Sequence, residues 1–253
     1  MIRDARGAYR DCLQAELKVG RESATYPSTR TLMDSRDTPL CMHFDGGTLM
    51  SGHIDKKVHI WDLDENRLVR EVGGHSSWVK CLQFNEDVLI TGSYDATIKE
   101  WDRHRDYQLI REYVGHGGNG VAIERSPQGS VVCLKFDARK IVSGSNDTTL
   151  RVWDRATGEC QHVLQGHSRT VHCLDFRDRW CFSGGSDRIL HHHDLETGQS
   201  IINFGGHAHR VSCVKVCYCA AIFCFGSGGG WCRCLVYSLL CASTALLIFT
   251  LPK

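Results

Sequence analysis

Short runs in which apolar and polar residues alternate recur along the chain, each closed by Gly, Asp or Asn. Alternation with period two over such lengths is the pattern of half-buried β-strands. VKCLQF, VVCLKF, VHCLDF and VSCVKV place Cys81, Cys133, Cys173 and Cys213 at one shared position and read as first strands. VLITGS, KIVSGS and WCFSGG follow as second strands, and TIKEWD, TLRVWD and RILHHHD as third strands. QLIREYVGH, CQHVLQGH and SIINFGGH close the units as fourth strands. Each unit is four short strands joined by tight turns, and none reads as a helix.

Fixed markers keep register with these strands. Gly-His recurs at Gly74-His75, Gly115-His116, Gly166-His167 and Gly206-His207. Trp61-Asp62, Trp101-Asp102 and Trp153-Asp154 are followed by His193-Asp194 at the next expected place, with spacings of 40, 52 and 40 residues. Asp55, Asp95, Asp147 and Asp187 stand six residues before those positions, and Ser51, Thr91, Ser143 and Ser183 ten before. Self-similarity at such a period marks a repeat architecture.

The run from Gly-His through Ser-Gly-Ser-x-Asp to Trp-Asp resembles the WD40 repeat family, above all in GSYDATIKEWD at 92–102 and GSNDTTLRVWD at 144–154. The resemblance implies an all-β fold, a β-propeller of four-stranded blades round a central channel. About five blades are expected, over approximately 37–72, 73–113, 114–164, 165–204 and 205–251, after a charged, weakly helical leader at 1–36. Seven units at the 40-residue spacing would need 280 residues, more than the 253 present, so an unclosed or truncated ring is expected. An insertion at 117–130 reads as a solvent loop, and the last blade, Cys-rich from residue 213, reads as degenerate.

The same resemblance implies a hydrogen-bonded set between the strands of each blade. By position these are His75, Thr91, Asp95 and Trp101 in the second blade, and His116, Ser143, Asp147 and Trp153 in the third. The fourth has His167, Ser183 and Asp187, with His193 in place of Trp. The first has Ser51, Asp55 and Trp61 but Ser35 where its His should be; the last has His207 and Ser227, with Trp231 and Tyr237 replacing Asp and Trp. A Ser-His-Asp set could suggest a hydrolase, but one repeated in successive units is not one active site, and no nucleophile elbow occurs. No catalytic residue and no enzymatic activity are expected.

Partners of this family dock on the face carrying the loops between blades and between second and third strands. By position that face holds His53, Trp78, Tyr94, Asn146, Arg169, Ser186, His209 and Arg210. Rings and guanidinium groups suit an interface, and Arg169 and Arg210 suit an acidic or phosphorylated segment. CLKFDARKIVSGSNDTTLRVWD at 133–154 is similar to the F-box/WD substrate receptors, although no F-box is visible. The expected function is a protein-interaction module, the substrate-recognition or adaptor part of an SCF-type ubiquitin ligase. The alternative is a structural scaffold in a signalling, RNA-processing or trafficking assembly. Expected partners are proteins or peptides, phosphorylated ones included, with ligase core subunits if the full-length product holds an F-box.

Composition narrows the rest. With 42% apolar residues, 23% charged residues and a net charge of +1, the chain fits neither a disordered segment nor a general nucleic-acid binder. Seven of the 14 cysteines are scattered over residues 12–181 and seven crowd into 213–241, in a chain that opens without an apolar signal core. A reduced cytoplasmic location, or also a nuclear one, is expected. The uncharged stretch at 234–252 is long enough for a membrane span, but its Ser, Thr and Cys content and its place in the repeat favour buried strands. His191, His192 and His193 invite a metal reading, yet they align with the ends of the third strands in other units, and the Cys spacings match no zinc knuckle. No metal and no cofactor are expected.

Overall fold

The computed structural model describes residues 38–45, 47–65, 67–117, 129–205 and 207–216, together with the backbone of three later strands. The leader at 1–36, Ser35 with it, most of the insertion, Tyr237 and the side chains of the Cys-rich tail lie outside the described residues. The strands form five antiparallel four-stranded sheets. Blade 1 holds β1 Pro39–Asp45, β2 Thr48–His53, β3 Val58–Asp62 and β4 Arg67–Val72; blade 2 holds β5 Val79–Phe84, β6 Val88–Ser93, β7 Thr97–Asp102 and β8 Gln108–Val114. Blade 3 holds β9 Val131–Phe136, β10 Lys140–Ser145, β11 Leu150–Asp154 and β12 Cys160–Leu164; blade 4 holds β13 Val171–Arg177, β14 Trp180–Gly185, β15 Leu190–Asp194 and β16 Ser200–Phe204. Blade 5 holds β17 Val211–Val216, β18 Ile222–Ser227, β19 Trp231–Val236 and β20 Leu247–Leu251. No helix occurs among the described residues.

Both aspartates of the repeat shape turns. Between the second and third strands Lys56, Ala96, Thr148 and Arg188 take φ of 74°, 68°, 73° and 65°. Each follows the Asp whose Oδ1 accepts the N–H two residues on, at 2.9 Å from Lys57, 3.0 Å from Thr97, 2.9 Å from Thr149 and 3.2 Å from Ile189. These carboxylates stand in for a backbone turn and hold a left-handed residue beside them. The Asp of Trp-Asp does similar work after the third strand: Oδ1 of Asp62, Asp102 and Asp154 each accepts two successive N–H groups, and Asp194 accepts that of Glu196.

Blade-to-blade packing explains the Cys and the Gly of the repeat. The thiols of Cys41, Cys81, Cys133 and Cys173 point at the carbonyl oxygens of Val79, Val131, Val171 and Val211 in the next blade, at 3.8, 4.0, 3.8 and 3.5 Å. A Cβ on Gly52, Gly92, Gly144 or Gly184 would come within 2.7, 2.6, 2.8 and 2.3 Å of those same valines, so any larger residue there would push the blades apart. Burial raises the Cys41 thiol to about 12 and drives those of Cys81 and Cys133 well up, so they behave as small apolar groups.

The apolar layers between blades follow from the alternation. Leu82 and Phe84 pack with Met50, Val58 and Ile60 of blade 1 and with Leu89 of their own blade, and Leu174 and Phe176 pack with Val142, Leu150 and Val152 of blade 3. The equivalents in β1 meet no such cover: Met42 is 67% and Phe44 59% exposed, against 8% for Leu82 and 3% for Phe84. Blade 1 thus keeps one bare face, as an unclosed ring requires.

Candidate functional site: the mouth of the central channel

In each inner strand the residue before the shared Cys points away from the blade interior, because alternation sends neighbours to opposite faces. Leu40, Lys80, Val132, His172 and Ser212 therefore converge from five blades on one cavity of about 480 Å³. Its wall is completed by Ser130, Thr170 and Arg210 at the strand starts and by Tyr94 and Asn146 from the hairpin tips. Those tips are fixed by backbone bonds to the inner-strand leaders: Tyr94 N–H to Trp78 at 2.9 Å, Asn146 to Ser130 at 3.1 Å and Ser186 to Thr170 at 2.9 Å. Among the described residues the lining holds two cations, Lys80 and Arg210, and no carboxylate. Trp78 is 44% exposed and stacks on Tyr94 with ring centroids 5.4 Å apart, forming an aromatic platform on the rim.

The expected face residues divide accordingly. Trp78, Tyr94, Asn146 and Arg210 come together at the mouth; Arg169 and His209 are exposed beside it, and Ser186 is half-buried and bonded to His172 Nε2 at 2.7 Å. Asn146 is only 6% exposed, so it forms part of the wall and is not an exposed tip. His53 departs furthest: it is 1% exposed and lies within the blade, its Nε2 2.8 Å from Ser51 Oγ. It ends β2 at the place of Ser93 and Ser145, one residue short of the tip that Tyr94 and Asn146 mark, and gives Ser51 the imidazole that a Gly-His supplies in blades 2 to 4. Lys80, Thr170, His172 and Ser212 were not expected at the site; their signal is the position beside the shared Cys.

Deeper in the blades the hydrogen-bonded sets are laid out alike. His75 bridges Asp95 and Thr91 at 2.8 Å each, and the Trp101 indole N–H donates to Thr91 Oγ1 at 2.9 Å. His116 bridges Asp147 and Ser143 at 2.9 and 2.8 Å, with Trp153 donating to Ser143 at 2.9 Å. His167 bridges Asp187 and Ser183 at 2.7 and 2.9 Å, and no indole joins them. Burial pushes the Asp95 and Asp147 carboxyls up, but bonds from the imidazole and a neighbouring Thr outweigh it and hold both well below the usual range. Ser143 and Ser183 are fully buried, out of reach of any substrate, and the same geometry in three blades makes it a device for holding strands.

Several known proteins share this architecture. The chain is 33% identical over 165 residues to Mitochondrial division protein 1 of Pyricularia oryzae, covering 54% of this chain and 25% of that protein. It is 33% identical over 146 residues to Nuclear distribution protein PAC1 of Gibberella zeae, covering 55% and 32%. The match thus spans a quarter to a third of the length of these relatives. Among solved structures, a chain of the Mitotic Checkpoint Complex superposes with a TM-score of 0.77 over 91% of this chain and 70% of that one, at 20% identity, a likeness of fold alone. The computationally designed Ika8 protein superposes with a TM-score of 0.61 at 28% identity, over 74% and 54%. The model of the WD domain, G-beta repeat, matches residues 28–62, 66–102, 107–154 and 158–194, more than half of the chain. The chain belongs to the WD40 repeat family.

Proposed function

We propose that this chain is a non-enzymatic scaffold module that receives an acidic or phosphorylated peptide segment of a protein partner at the channel mouth. The observation that carries the reading is the composition of that mouth: Lys80 and Arg210 with no carboxylate among the described lining residues, beside the Trp78–Tyr94 platform. Unpaired cations in a concave polar site favour an anion, and a guanidinium group can take two oxygens of a carboxylate or phosphate at once. The stacked rings offer rigid apolar area for the flanking side chains.

The scaffold reading is favoured over a ubiquitin-ligase substrate receptor because the relatives carry names of division and distribution proteins. A peptide array of matched acidic, phosphorylated, neutral and basic sequences tests the chemistry. Selective retention of the anionic members supports the reading, and retention of neutral or basic members overturns it.

A further inference from the structure

Blade 4 differs from its neighbours at one buried place. In blades 1, 2 and 3 an indole fills the space beside the conserved hydroxyl and donates to it, from Trp61 to Ser51 at 2.8 Å, from Trp101 to Thr91 at 2.9 Å and from Trp153 to Ser143 at 2.9 Å. His193 holds that position in β15 and is fully buried, with neither ring nitrogen hydrogen-bonded. The vacated space is taken by His191. A Cβ on Gly74 would strike the Trp101 indole at 2.7 Å, whereas a Cβ on Gly166 would strike the His191 imidazole at 2.9 Å.

That shift gathers donors. His191 is 1% exposed and lies against His167 with ring centroids 4.0 Å apart. Its Nε2 is 3.8 Å from Asp187 Oδ2, the same oxygen that His167 Nδ1 meets at 2.7 Å. One ligand atom from each of His167, Asp187 and His191 lies within 4.8 Å of the others. The ring of His193 stands parallel to that of His191 at 5.8 Å. Blades 2 and 3 carry Lys99 and Arg151 where blade 4 has His191, and blade 1, which has His59 there, keeps its indole.

We propose that His167 Nδ1, Asp187 Oδ2 and His191 Nε2 form a zinc-binding site inside blade 4. Imidazole nitrogens and a carboxylate suit Zn²⁺, which holds them at about 2.0–2.2 Å, so the three atoms need only close on a common centre. The carboxylate exchanges its bond to His167 for the ion. His167 stays oriented through Nε2–H donating to Ser183 Oγ at 2.9 Å, the second-sphere bond that fixes a metal-bearing tautomer.

The test is a zinc titration of the metal-stripped full chain, followed by calorimetry and thermal denaturation. One equivalent bound with a raised Tm is expected, and His191→Lys, which copies blade 2, should lose that equivalent while keeping the β-sheet circular dichroism of the parent. Should His191→Lys fail to fold, His191→Gln serves, since it keeps a polar group of similar size. Cobalt substitution separates this site from the cysteine-rich tail, because nitrogen and oxygen ligands give no thiolate charge-transfer band. Absence of zinc binding, unchanged binding in the folded His191 variant, or a thiolate band accounting for all of the metal would each overturn the proposal.

Discussion

His53 and Ser51, two residues apart on β2, meet through a 2.8 Å contact between Nε2 and Oγ, and the same Oγ accepts the Trp61 indole N–H at 2.8 Å. Blade 1 therefore draws the imidazole for Ser51 from β2 itself, where blades 2 to 4 reach back to a Gly-His, and its Asp55 Oδ2 pairs with His59 Nε2 of β3 at 2.9 Å. Replacing His53 by Ala should lower unfolding stability by about 1–3 kcal/mol, the cost of leaving a buried partner unsatisfied. Replacing the exposed His209 by Ala should change it by less than about 0.5 kcal/mol. Urea denaturation of both variants checks the contrast.

Most of the fold is legible in the repeat. Alternation gave the strands, and the equal spacing of Asp95, Asp147 and Asp187 before the third-strand ends gave the turns and the sets. What stayed hidden depended on side-chain direction. His53 ends β2 eight residues before Trp61, as Ser93 and Ser145 stand before Trp101 and Trp153, one residue short of the tip that Tyr94 and Asn146 mark, and its ring meets Ser51 inside the blade. Lys80 and His172 carry no motif of their own; they matter because five inner strands bring one position to a common axis. The crowding of His191 against His167 likewise needs the third dimension, since 24 residues separate them in sequence.

Thr148 is β-branched and holds φ at 73°, in the left-handed region where such residues are strained. Thr148→Gly should stabilise the protein by about 0.5–1 kcal/mol, because the strain removed exceeds the extra chain entropy that glycine brings. The same change at Thr149, whose hydroxyl donates to Asp147 at 2.7 Å, should destabilise. Chemical denaturation midpoints distinguish the two.

Blades 2 and 3 are clasped by Glu100, which is 4% exposed, accepts the Tyr113 hydroxyl at 2.6 Å and pairs with Arg155 of the next blade at 2.5 Å. Arg155→Met should cost about 3–5 kcal/mol, since it strands a buried carboxylate. The doubly changed Glu100→Gln, Arg155→Met chain should recover much of that loss. A double-mutant cycle on Tm measures the coupling.

Acid should loosen blade 4 first. Burial, followed by the charge of His167, lowers His191 to about 4, and burial, followed by the neighbouring imidazoles, lowers His193 to about 3. Both are neutral in the folded chain while the unfolded chain takes up protons below about 6.5. Stability is therefore full above pH 6.5 and falls as the pH drops towards the folded values, by about 2 kcal/mol per imidazole at pH 5. The bonded Asp95 and Asp147, with lowered carboxyls, add a second loss only below the ordinary carboxylate range. His193→Trp should restore an indole donor to Ser183 and flatten the decline between pH 7 and 5, as followed by thermal melts.

The bare face of blade 1 predicts an asymmetry in mutational cost. Phe84→Ala should lower stability by about 3–5 kcal/mol, as for other buried rings. Phe44→Ala, at the equivalent position but 59% exposed, should cost less than about 0.5 kcal/mol.

The channel mouth is tested most directly by the affinity of one array-selected phosphopeptide for the parent chain and for the Lys80→Glu, Arg210→Glu variant, measured by calorimetry at fixed salt. The reading predicts a weakening of roughly 10-fold to 100-fold for each charge-assisted contact removed, with Tm unchanged. Equal affinity of the two folded proteins would contradict it.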